Sequence, residues 1–178
     1  MADTGRLGTQ LLVARPSALT VWQPWATALI WGGKDVENRR RPIGYRGRLW
    51  IHAGLHHPDW ADYLEVRGLS GIVFGWTDTR KATADYLRKA QRWTEHTGAL
   101  GVILGSVEVV GCHADETGDD RESCTPWARH GHYHWMVANP QPLARPVPCR
   151  GMLGLWRLPD DVEKAVREQL SEDGEHGD

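Results

Sequence analysis

The stretch from Leu19 to Arg41 constrains this chain more than any other. A strand-like run, Leu19-Thr20-Val21-Trp22, is broken by Gln23-Pro24. Residues whose apolar members Trp25, Ala28, Leu29 and Ile30 recur at about helical spacing come next, and Gly32-Gly33 stops them. A strand feeding one short helix is the reading that accommodates this order. Proline suits the first helical position because its missing N–H would have no partner there, and glycine suits the stop because it adopts the left-handed conformation that ends helices. Directly beyond the stop stand Lys34, Glu37, Arg39, Arg40 and Arg41, so a buried strand and helix deliver charge to one edge of the fold.

Three segments carry a resemblance. W-Q-P-W-A at the helix start, G-G-K-D-V-E-N-R after it, and Tyr45-Arg46-Gly47-Arg48-Leu49-Trp50-Ile51-His52-Ala53 together resemble the ASCH-domain family of the PUA-like superfamily. The domain carried by a eukaryotic transcription co-activator shares the Q-P-W-A and R-G-R-L-W-I pieces. Leu104-Gly105-Ser106-Val107-Glu108-Val109-Val110, Asn139-Pro140 and Gly154-Leu155-Trp156 extend the likeness across residues 17–158. It implies an α+β fold: a mixed PUA-like β-barrel of about five to seven strands, with a short helix at its mouth and a nucleic-acid-facing cleft. Residues 55–97 read as a helical insertion, 1–16 as a flexible arm, and 159–178 as a short helix with an acidic tail.

Net charge bounds the partner. With 21 Lys and Arg against 23 Asp and Glu, the chain lacks the surplus that duplex binding by overall charge needs, so a nucleic-acid role must use a local patch. Arginine clusters between Arg39 and Arg48, and acid lies in 115–122 and after Asp160. No run approaches the ~20 apolar residues of a membrane helix, and the first twelve residues lack a signal-peptide pattern, so a cytoplasmic protein is expected. Three cysteines at irregular spacing make a poor disulfide framework, so free thiols are expected. Ten tryptophans beside one phenylalanine suit both core filling and base stacking.

Further along, residues 48–53 form a strand with Leu49 and Ile51 on one face and Arg48, Trp50 and His52 on a polar, aromatic one. Residues 78–96 carry a helical period. Residues 99–113 are the strongest strand signal, with Gly105 marking a bulge or a close backbone approach. Residues 132–137 and 143–147 read as two strands joined by a turn at Asn139-Pro140, 153–158 as the closing strand, and 160–170 as a helix after Pro159.

These elements predict a cleft built from Gln23 at the helix start, with Lys34, Arg39, Arg46 and Arg48 holding phosphates, Glu37 orienting the basic groups or accepting a hydrogen bond from a base edge, and Trp22 and Tyr45 touching a base. A helix N-terminus adds amide donors and the positive end of a dipole. The competing reading is a solvated ion-pair network of Lys34, Glu37 and Arg39. The favoured function is a module that binds single-stranded or unpaired RNA or DNA, or a nucleoside. The enzyme alternative follows from relatives that the family resemblance brings in: amidohydrolases acting on a modified nucleoside, with a lysine, a threonine three residues on and a later glutamate, and ribonucleases. Lys34 and Glu108 match the first pattern, but Glu37 stands where the threonine nucleophile belongs. Tyr45 and His52 are the acid/base candidates for the second. A protein-binding adaptor with exposed tryptophans is the third alternative. His130, His132 and His134 alternate near Cys112, His113 and Cys124, but no spacing fits a closed zinc motif, so neither metal nor cofactor is expected.

Overall fold

The computed structural model describes residues 16–56, 59, 61–62, 64–66, 98–115 and 124–172. The arm before residue 16, the helical period at 78–96, most of the acidic loop and the tail beyond 172 lie outside them. Strand β1 (Ser17–Val21) leads into helix α1 (Trp25–Trp31), then β2 (Val36–Arg39), β3 (Gly47–Ala53), β4 (Val102–Ala114), β5 (Tyr133–Pro148), β6 (Leu155–Arg157) and helix α2 (Asp160–Glu172). Residues 61–62 and 64–66 are also helical.

The six strands make one mixed sheet in the order β2-β5-β4-β3-β1-β6, curled into a half-barrel. This is the expected α+β, PUA-like architecture. Strands β1 and β3 run parallel, with Ser17 opposite Leu49 and Val21 opposite Ala53, and the other neighbours are antiparallel. A parallel pair needs a crossover rather than a hairpin, and α1 lies in the connection that supplies it.

Alternation along β1 and β3 divides the core. Leu19, Leu49 and Ile51 join Leu104 and Val107 under Ala26, Leu29 and Ile30 of α1. Ala18, Trp50 and Ile103 face the opposite side, where they meet Leu143, Trp156 and Val166. On α2 the stripe Val162, Val166, Leu170 packs against that second cluster. The face of β3 that carries Trp50 and His52 is therefore closed, at 0% and 1% exposure. Period two told which residues share a face; it did not tell that a helix more than a hundred residues later would cover it.

The turn expected at Asn139-Pro140 is a bulge inside one long strand. Ser106 pairs with Gln141 and Glu108 with Ala138, so β5 advances one residue more than β4 between these pairs. Asn139 takes the left-handed conformation, φ 49°, and proline has no N–H to lose from the ladder. The register shifts again at Gly105, where a Cβ would sit 2.4 Å from the Gln141 carbonyl oxygen. Replacing Gly105 by Ala should therefore cost about 1–3 kcal/mol, read in urea as a lower midpoint with an unchanged slope.

Candidate functional site: a buried ion triad beside an aromatic-walled cavity

Gly33 ends α1 with φ 72°, and the chain doubles back so that the Lys34 N–H reaches the Ala28 carbonyl at 3.1 Å. This places the Lys34 side chain inside, 5% exposed, with Nζ donating to Glu37 Oε2 at 2.9 Å and to the Val36 carbonyl. Glu37, 8% exposed, receives Arg39 Nε on its other oxygen at 3.0 Å. Arg39 also donates to the Thr20 carbonyl at 3.2 Å and lies 5.7 Å from the Trp135 ring centre. A lysine this buried without a counter-charge would be strongly disfavoured, so one carboxylate shared by two cations holds the start of β2 against β1. Burial alone would push the Glu37 carboxyl up; the charges of Lys34 and Arg39, with their hydrogen bonds, outweigh it and hold the group below its usual range.

The triad forms the floor of an open cavity of about 300 Å³. Thr20 and Val21 of β1 with Trp22 and Trp25 wall one side; Asn38, Arg129 and His132 complete it. Trp22 is 59% exposed and stacks on His56 at 4.3 Å, an open aromatic face at the rim. The Arg129 guanidinium sits 4.9 Å from the Trp25 ring centre and is gripped by both oxygens of Glu65 at 2.8 and 2.9 Å. Asn38 holds this segment in place, donating to the Trp127 carbonyl at 2.8 Å and accepting the Arg129 N–H at 3.0 Å.

Of the residues singled out in the sequence, Trp22, Lys34, Glu37 and Arg39 meet at this cavity. Gln23 is close but turned inward, 1% exposed. Its carbonyl oxygen accepts the Thr27 N–H at 3.2 Å and the Thr27 hydroxyl at 2.9 Å, while its amide nitrogen reaches the Ala99 carbonyl at 3.0 Å. With the N–H groups of Ala26 and Ala28 bonded to the Trp22 and Pro24 carbonyls, the helix start is capped from within and does not present the amide-rich tip expected of it. Tyr45, Arg46 and Arg48 lie off the cavity. The Tyr45 hydroxyl accepts the Ser17 N–H and donates to the Arg48 carbonyl; Arg46 bonds the Ile43 and Tyr45 carbonyls; the Arg48 guanidinium lies 5.9 Å from the Trp50 ring centre. Glu108, opposite Arg48 in the sheet, receives the Asn139 amide at 2.9 Å. His52 is buried on the other face, bonded to the Cys149 carbonyl at 2.9 Å, and burial lowers its pKa. Among the described residues, then, the hydrolase candidates do not converge on one point.

Trp25, Asn38, Arg129 and His132 were missed as site residues. Arg129 and His132 arrive from the segment before β5, about ninety positions from the triad, and no local pattern connects them. The histidine alternation did not survive folding: 130–132 form a turn with Gly131 at φ 72°, and period two begins only at Tyr133. His130 is drawn to Asp115 at 3.6 Å, His132 turns to the cavity and His134 is buried.

A curled mixed sheet with a short helix beside β1 and a charged cavity at the helix end defines a PUA-like domain. The chain belongs to the ASCH domain family, whose pattern it matches over residues 19–146. It is 25% identical over 152 residues to human Activating signal cointegrator 1, covering 85% of this chain and 24% of that protein, and 24% identical to the mouse protein over the same shares. The chain thus spans about a quarter of the length of the curated relatives it matches. No helix among the described residues is long and apolar enough to cross a membrane.

Glu37→Gln should destabilise the fold by about 3–5 kcal/mol at neutral pH, because two buried or half-buried cations lose their shared charge. The folded-state pKa of Glu37 is depressed. Its stabilisation is therefore fully present above the unfolded value, near 4.5, and is lost as pH falls through the lower folded value. Chemical denaturation across this range should show wild type and variant converging in acid.

Proposed function

We propose that this chain is a nucleic-acid-binding module that seats one unpaired nucleotide of an RNA or DNA strand in the Trp22–Arg39 cavity. The observation that carries the reading is the coincidence of an open tryptophan face with a basic floor around a space of about 300 Å³. That volume is at the small end of ligand sites, roughly 300–1,000 Å³, and suits a single nucleoside-sized unit rather than a duplex. Family membership supports nucleic-acid binding in general, RNA among the candidates.

The physical chemistry assigns the roles unequally. Lys34, Arg39 and Arg129 face Glu37 and Glu65, a surplus of one positive charge, and both acids are already bonded to the cations. An exposed ion pair is worth about 0–1 kcal/mol, whereas a base stacked on an aromatic face contributes about 1–3 kcal/mol. Trp22 therefore supplies most of the affinity. Arg129 at the rim and the half-buried Arg39 guide a phosphate, and Lys34 and Glu37 hold the floor and read the polar edge of a base. The dispersal of Tyr45, His52 and Glu108 favours binding over turnover.

Fluorescence anisotropy with labelled single-stranded RNA and DNA oligonucleotides tests this. Trp22→Ala should weaken binding by roughly 5- to 150-fold. Arg129→Ala should lower the slope of log affinity against log salt by about 0.7. A folded protein whose affinity is indifferent to both changes would refute the assignment.

A further inference from the structure

Behind the cavity wall, folding makes a cluster that the sequence does not show. His113 of β4 and His134 of β5 are direct partners in the antiparallel pairing, their rings edge to face with centres 5.0 Å apart. Cys124, from the segment between these strands, brings Sγ to 3.4 Å from His134 Nδ1. One ligand atom from each of the three lies within 4.8 Å of the others.

The second nitrogen of each ring is already engaged. His113 Nδ1 is 2.8 Å from the Ala114 carbonyl and His134 Nε2 is 3.0 Å from the Arg129 carbonyl. A carbonyl oxygen only accepts, so these nitrogens carry the protons, leaving His113 Nε2 and His134 Nδ1 as lone pairs. This is the outer hydrogen bonding that fixes the tautomer of a metal-bound histidine. The surroundings favour a cation as well. Asp35 has a buried carboxylate oxygen with no hydrogen-bond partner among the described residues. Asp35 and Asp115 lie close enough to Cys124 to add negative charge around its sulfur.

We propose that His113, Cys124 and His134 bind one zinc ion, with a fourth position left to water. Two imidazoles and a thiolate form a mixed nitrogen–sulfur set that suits Zn²⁺. Tetrahedral bonds of about 2.0–2.1 Å to nitrogen and 2.3 Å to sulfur bring the ligand atoms to roughly 3.3–3.6 Å from one another. The Cys124–His134 pair already meets this at 3.4 Å, and loading draws His113 in to complete the set. As the Zn–S bond forms, the thiol proton leaves to solvent. The ion would tie β4, β5 and the segment before β5 together. That segment carries Trp127 against Trp25, and Arg129 and His132 at the cavity. The site is structural support for that wall, and it stands whether or not the cavity takes a nucleotide.

Cobalt is the probe. The full chain, stripped with chelator, is titrated with Co²⁺ under reducing conditions. One ion per chain should bind with a thiolate-to-cobalt charge-transfer band and intense visible bands of a four-coordinate centre, and Zn²⁺ should displace it and raise the melting temperature. Cys124→Ser should abolish the charge-transfer band, and His113→Ala should weaken binding by more than about tenfold. The other two thiols, Cys112→Ser and Cys149→Ser, should leave the spectrum unchanged. Absence of stoichiometric binding by the folded wild-type chain, or persistence of the band in Cys124→Ser, would overturn the assignment.

Discussion

A carboxylate buried between two cations fixes the relation between the first helix and the sheet. Glu37 can remain charged at 8% exposure because Lys34 and Arg39 hold it, and it is the counter-charge facing Lys34, itself 5% exposed. Buried Lys34 and Glu37 are strongly disfavoured there without each other, so the triad specifies a position more sharply than it stabilises one. Through the Arg39 bond to the Thr20 carbonyl, that position is transmitted to the end of β1, where Trp22 begins the cavity wall.

The same economy explains why the helix start is not part of the site. A seven-residue helix contributes little stability of its own, and its first amides would be left unbonded beneath the fold if nothing capped them. Gln23 and the carbonyls of Trp22 and Pro24 satisfy the N–H groups of Ala26, Thr27 and Ala28 internally. The glutamine that looked like a ligand-facing residue is a brace: its far end reaches Ala99, just before β4, and fastens the helix to the sheet's long central strands.

Binding at such a site would be local in character. The triad keeps one net positive charge, two cations on one carboxylate, and the Arg129 charge at the rim is matched by Glu65. What the cavity offers a ligand beyond this is an aromatic surface and directional polar groups, which discriminate a flat, edge-bearing ring from a simple anion. The long strands β4 and β5 form the frame of this wall, and their bulges at Gly105 and Asn139 curl the sheet around α1.

Local sequence determined the strand–helix opening, the glycine stop, the close approach at Gly105, the closing helix and the family, because periodicity, turn chemistry and motif are written in neighbouring residues. Lys34, Glu37 and Arg39 were legible as a group for the same reason: they stand within six positions of one another. Tertiary structure alone decided that Gln23 turns inward, that Trp156 and α2 close the face carrying Trp50, that Arg129 and His132 complete the cavity, and that His113 meets His134 and Cys124. Those outcomes depend on strand register and on which distant element covers which face, and a one-residue difference in register would have sent Trp50, His52, His113 and His134 to the other side of the sheet.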